Sequence, residues 1–130
     1  MSGLYLLDTS VAIEVRDRSQ AILGKLEGLS GRFAISVITR VELEGGVHRE
    51  ASSATLRRQR LDVFLSHMPV LPFEEEDADR YGSILQSCGF SRRKILDRMI
   101  AAQALNASAT LVTLNPQDFE EVTGLQVLGW

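Results

Sequence analysis

Leu4-Tyr5-Leu6-Leu7-Asp8-Thr9-Ser10 is the stretch that decides the fold. Four residues with apolar bodies run straight into a carboxylate and two hydroxyls, and a helical pattern follows. An apolar run this short predicts a strand buried on both faces, as in a parallel sheet. Asp8 then stands where the strand leaves the core. In open α/β sheets ligands bind outside the carboxyl ends of the strands, which makes Asp8 a candidate site residue.

Outward from that stretch, strand and helix patterns alternate. Asp8 to Arg16 reads as a helix capped by Asp8 or Thr9. Gln20 to Gly28 carries Ile22, Leu23 and Leu26 at helical spacing and stops at a glycine. Phe33-Ala34-Ile35 is a short strand, and Ser36 opens the next helix. Gly45-Gly46 weakens that helix, which predicts a bend or a close packing contact there. Ala54 to His67 is an amphipathic helix with Leu61, Phe64 and Leu65 toward the core. The two prolines keep Pro69 to Phe73 extended. The acidic run from Glu74 to Asp79 opens a helix, where negative charge is favourable. Ile95 to Asn106 is the most regular helix, with a stripe of Ile95, Leu96, Met99 and Ile100, while Ala101, Ala102 and Ala104 allow close packing on a sheet. Thr110 to Leu114 is a buried strand, Asn115-Pro116 starts a short turn of helix capped by Asn115, and Leu125 to Leu128 is a last strand. This alternation predicts an α/β fold with a central parallel sheet of four to five strands and right-handed crossovers.

The chain has 130 residues, which fits one domain over residues 1–130 with a real core. It is 45% hydrophobic and 24% charged, which excludes general disorder. Its one cysteine, Cys88, rules out an intrachain disulfide and a cysteine metal cage, and is expected to be an inert helix residue. No run approaches the roughly 20 apolar residues of a membrane span. Met1-Ser2-Gly3 lacks the basic flank of a secretory signal. A cytoplasmic protein is the expectation. The net charge of -3 does not by itself favour a nucleic-acid partner, so the local distribution of charge decides.

Four acids stand out: Asp8, Glu42, Asp97 and Asp118. Each has a structural explanation alone. Asp8 caps a helix, Glu42 follows Thr39 at capping-box spacing, Asp97 complements a helix start, and Asp118 lies in a first turn. A parallel sheet nevertheless brings all four to one end of the fold. Crowded carboxylates must protonate or recruit cations. Oxygen-only donors suit Mg²⁺ or Mn²⁺, and such a site activates water against a phosphodiester. The two histidines, His48 and His67, have no metal-ligand spacing. They are expected at the surface of helices, although a metal-free ribonuclease would need such a pair.

The ordered set of motifs resembles the PIN-domain endoribonucleases, in particular the VapC-like toxins of bacterial toxin–antitoxin pairs. The stretches that carry the resemblance are Leu7-Asp8-Thr9-Ser10, Ile35-Ser36-Val37-Ile38-Thr39 with Glu42-Leu43, Asp97 to Leu105, Leu111 to Asn115 with Asp118-Phe119, and Gly124 to Val127 before Trp130. The resemblance implies a Rossmann-like domain, usually a homodimer, whose acidic pocket holds Mg²⁺ or Mn²⁺ and cuts RNA. It assigns Asp8, Glu42 and Asp97 to the three most constant acids, with Asp118 as the fourth and Asn115 as its helper. Thr9 and Ser10 support the pocket, Ser10 as a hydrogen-bond partner of a metal-bound water. It also implies a VapB-like antitoxin as partner. The proline often found before the third acid is missing from Ser91 to Leu96. Arg92, Arg93, Lys94 and Arg98 flank Asp97 and are candidates for contacts with RNA phosphates.

Three other classes compete. A haloacid-dehalogenase-type phosphohydrolase would use Asp8 as nucleophile, but wants a second Asp where Ser10 stands. A response-regulator receiver wants paired acids at the first strand and a Lys near the end, and no Lys follows Lys94. A non-catalytic PIN-like binding module has no need of the retained acids.

Overall fold

The computed structural model describes residues 3–130; Met1 and Ser2, part of the stretch tested for a leader signal, lie outside the described residues. The elements are β1 (Gly3–Leu7), α1 (Thr9–Arg16), α2 (Gln20–Glu27), β2 (Gly31–Ser36), α3 (Val37–Val47), α4 (Ala54–His67), β3 (Val70–Leu71), α5 (Glu75–Cys88), α6 (Ile95–Asn106), β4 (Thr110–Thr113) and β5 (Gln126–Gly129). Single 3₁₀ turns cover Ala51–Ser53, Arg92–Lys94 and Pro116–Phe119. The strands form one five-stranded sheet in the order β3-β2-β1-β4-β5, with every pairing parallel.

Alternation along the strands divides the core in two, since successive side chains point to opposite faces. Leu6, Ala34 and Leu111 pack with Ile84, Ile100, Ala101 and Ala104 beneath α5 and α6. Leu7, Ile35 and Val112 pack with Val11, Leu43, Leu61 and Phe64 beneath α1 to α4. Both faces are covered, which is why the first strand reads as an unbroken apolar run. No helix among the described residues is long and apolar enough to cross a membrane.

The order of strands fixes where a site can form. The chain leaves β1 toward β2 on one side, and returns to β4 on the other. Residues at the carboxyl ends of β1 and β4 therefore flank the point where the winding reverses, the usual ligand crevice of such sheets. Asp8 and Thr113 stand there.

Three local expectations are adjusted. The glycines do not interrupt α3, which runs to Val47; a methyl group at Gly45 would meet no atom within 4 Å, whereas one at Gly46 would meet Arg16 Nη1 at 3.7 Å, and Arg57 donates to the Gly46 carbonyl at 2.8 Å. The stripe of α6 departs at Leu96, which is 42% exposed; Ile100 is buried as expected, and Ala101, Ala102 and Ala104 pack into the core as their small size allows. Asn115 makes no side-chain cap to the turn over Pro116–Phe119; its carbonyl accepts from the Asp118 N–H at 3.0 Å.

Candidate active site

Asp8 closes β1 and opens α1. Its backbone N–H donates to the Val112 carbonyl of β4 at 3.0 Å, and its carbonyl accepts from Ala12 at 2.9 Å. Its carboxylate is almost fully buried yet well supplied with donors. Oδ1 accepts from the Val11 N–H at 3.1 Å and from Ser10 Oγ, and Oδ2 accepts from Thr113 Oγ1. Asp8 is thus both helix cap and site residue. Burial raises its pKa, and the bonds from Ser10, Thr113 and Val11 work against that rise. Ser10 also accepts from the Leu114 N–H at 3.1 Å, so this hydroxyl ties β1 to the end of β4.

Glu42 sits one and a half turns into α3. The capping-box explanation fails, because the N-cap is Ser36, whose hydroxyl accepts from Ile38 at 2.9 Å, and Thr39 lies inside the helix. Thr9 Oγ1 donates to Glu42 Oε1 at 2.6 Å and stands 3.0 Å from the hydroxyl of buried Thr39. Thr9 thereby links the Glu42 carboxylate to the residue after Asp8.

Asp97 lies in the first turn of α6. Its pKa is pushed up to about 6, first by burial and then by the negative charges of Asp118, Asp8 and Glu42, with Lys94 opposing. The four acids therefore converge electrostatically on one place, although they come from β1, α3, α6 and the turn after β4. Asp118 is the acid of that last turn whose charge reaches Asp97.

The donors at this edge are carboxylates and hydroxyls, which suits a hard divalent ion such as Mg²⁺ or Mn²⁺. Among the described residues no three histidine, cysteine or acidic side chains stand close enough to cage a bare ion. The chemistry of the set fits a hydrated ion, since Mg²⁺ keeps several waters and takes only one or two direct carboxylates.

The basic residues divide. Arg98 does not face solvent: it is 3% exposed, and donates to the Gly89 carbonyl at 2.6 Å and to Glu121 Oε2 at 3.0 Å. Burial and these two bonds make it an internal strut, which corrects its expected place on an RNA-binding surface. Lys94 stands 3.9 Å from Glu121, and Arg92 and Arg93 are exposed. His48 and His67 are exposed at helix ends, and Cys88 closes α5 with its thiol toward the Glu121 carbonyl.

Two positions carry more than sequence reasoning assigned them. Thr113 holds Asp8: Leu7 pairs with Val112, so the residues that follow meet, a register that spacing along the chain does not show. Gln103 accepts from buried Ser36 and donates to the carbonyls of Pro72 at 2.9 Å and Leu71 at 3.3 Å. It fastens α6, and with it Asp97, to the carboxyl ends of β2 and β3.

A doubly covered parallel sheet with carboxylates at its switch point defines an α/β domain of the Rossmann-like type. The model of the PIN domain matches residues 5–125, and the chain belongs to that family. It is 31% identical to ribonuclease VapC1 of Rickettsia felis, over 95% of this chain and 93% of that protein. It is 27% identical to the tRNA(fMet)-specific endonuclease VapC of Shigella flexneri, over 97% of each. Among solved structures, VapBC2 of Rickettsia felis bound to a promoter DNA fragment contains a similar chain, with TM-score 0.85, 27% identity and 98% of each chain covered. The haloacid-dehalogenase alternative finds no support, and Ser10 serves as a hydrogen-bonding partner of Asp8.

Proposed function

We propose that this protein is a divalent-metal-dependent endoribonuclease and the toxin half of a toxin–antitoxin pair. The observation that carries the proposal is the convergence of Asp8, Glu42 and Asp118 on Asp97, whose carboxyl is pushed up to about 6 first by burial and then by those three charges. Acids so placed are held at a cost in repulsion, and a cation is what offsets it. The names of the VapC relatives point to the same activity.

Mg²⁺ or Mn²⁺, when bound, supplies a polarised water and charge stabilisation for the phosphodiester. Asp8 and Asp97 are the residues to hold it, with Asp118 and Glu42 closing the edge. Ser10 and Thr113 orient the Asp8 carboxylate. Thr9 fixes Glu42 by Oε1 and leaves Oε2 to take a proton from the attacking water. Arg92 and Arg93 draw the phosphate backbone toward an otherwise repellent pocket.

The reading includes a seat for the partner. A cavity of about 500 Å³ lies between α1, α2 and α4, lined by Leu23, Leu56, Val63, Phe64 and Met68 with Arg18 and His67 among its polar walls. An amphipathic acidic segment of a VapB-like antitoxin fits that chemistry. The Rickettsia felis structure is of such a two-protein complex. The resemblance also leads us to expect a homodimer acting in the cytoplasm, where RNA is at hand.

Incubating the purified protein with tRNA tests the function. Cleavage is expected with Mn²⁺ or Mg²⁺, and its disappearance with excess EDTA or with Asp8→Asn. Undiminished cleavage in EDTA would sink the metal-dependent mechanism.

A further inference from the structure

Phe90, on the turn between α5 and α6, is 70% exposed, more than any other large apolar side chain among the described residues. One exposed aromatic alone is ordinary. Its setting is not. Gly89 leaves α5 with φ +82°, a left-handed conformation that glycine adopts without strain, and so delivers Phe90 outward. The turn is then pinned by the buried Arg98, whose Nη1 bonds the Gly89 carbonyl at 2.6 Å. Arg98 adjoins Asp97, so the strut couples the turn to the acid's own helical turn. Arg92 and Arg93 follow within three residues, exposed and without an ion pair among the described residues. Lys94 ends the 3₁₀ turn that runs straight into α6, whose first turn holds Asp97, so the basic end of this turn stands at the start of the acid's own helix.

We propose that Phe90 is a base-stacking platform for substrate beside the acidic edge. An unpaired RNA base lies on its ring, and Arg92 and Arg93 hold the adjoining phosphates. This rests on the ribonuclease function proposed above. Every base offers a π-face, so the contact is tolerant of sequence and positions the strand for Asp97. Rigid support by Arg98 means that little ordering is needed on binding.

The test uses the full chain with Mn²⁺, a tRNA whose cut site in the parent has been mapped, and versions of it abasic at single positions beside the cut. Stacking of this kind contributes roughly 5- to 150-fold to binding per base. Phe90→Ala should therefore raise KM by about tenfold or more with little change in kcat, and Phe90→Trp should restore it. One abasic position should weaken the parent but leave Phe90→Ala indifferent. An unchanged KM in Phe90→Ala while the parent cleaves would overturn the platform. So would a change in sedimentation mass on Phe90→Ala, which would mean that a second copy covers the ring. A parent that cleaves no RNA would instead refute the ribonuclease function. The platform is then judged by fluorescence anisotropy of the same tRNAs, where binding independent of Phe90 overturns it too.

Discussion

At the scale of the residue, Asp97 is the position where structure and chemistry conflict most openly. Burial and three neighbouring negative charges disfavour its ionised form, and only Lys94 opposes them. A folded pKa of about 6 against 3.8 in the unfolded chain means that the folded state holds more protons between those values. Stability contributed by the protonated group is fully present below pH 3.8, falls as pH rises, and is lost above about 6. Asp97→Asn should accordingly raise the melting temperature of metal-free protein at pH 7. Partial exposure of Asp97 limits the gain to about 1–2 kcal/mol, a few degrees. Loss of a favourable helix-start charge opposes it by roughly 0.3–1 kcal/mol. The gain should vanish at pH 4 and shrink in saturating Mn²⁺, which stabilises the parent by binding its folded state. Melts at both pH values, with EDTA and with Mn²⁺, check this; a mutant less stable than the parent in EDTA at pH 7 would reduce Asp97 to a helix-start residue.

At the scale of the element, α6 positions the chemistry and Gln103 positions α6. Replacing Gln103 by Leu keeps the volume but leaves the Ser36 O–H without its acceptor and removes the donor to the Leu71 and Pro72 carbonyls. Buried groups left unpaired cost about 1–3 kcal/mol. Gln103→Leu should lose that much in urea unfolding, and should slow cleavage more than it weakens RNA binding. By contrast, Gly45 sits in an exposed stretch of α3 with open space where a side chain would go. Gly45→Ala should stabilise the protein by about 0.5–1 kcal/mol, as read by the same unfolding curves.

The elements also show what a sequence can and cannot reveal. The helices Ala54–His67 and Ile95–Asn106 were legible to the residue, because apolar spacing and breakers agree there. The central strands are legible because burial on both faces leaves apolar runs, whereas the two-residue edge strand β3 shows only as an extended stretch between prolines. On α6 the alanines and Ile100 lie in the core as their size and spacing suggest, and Leu96 departs, since apolar character alone does not tell a core position from an exposed one. Arg98 looked like one more surface cation, because its tethers, Gly89 and Glu121, are distant in sequence. Thr113 and Gln103 were passed over for the same reason: their partners are fixed by strand register and crossover, not by spacing along the chain.

At the scale of the whole molecule, five parallel strands gather four separately encoded carboxylates at one edge, and cations line only part of its rim. A net charge of -3 gives no general attraction for RNA, so binding must depend on that local rim and on metal. The convergence of the four acids into one working centre is tested most directly by single-turnover cleavage of one tRNA in Mn²⁺, comparing the parent with Asp8→Asn, Glu42→Gln, Asp97→Asn and Asp118→Asn under identical conditions. Each variant should fold as the parent does and cleave about 100-fold or more slowly, in line with the roughly 10²- to 10⁴-fold contribution of a positioned acid–base group. Parent-like rates in two or more of the four variants would contradict a single convergent centre.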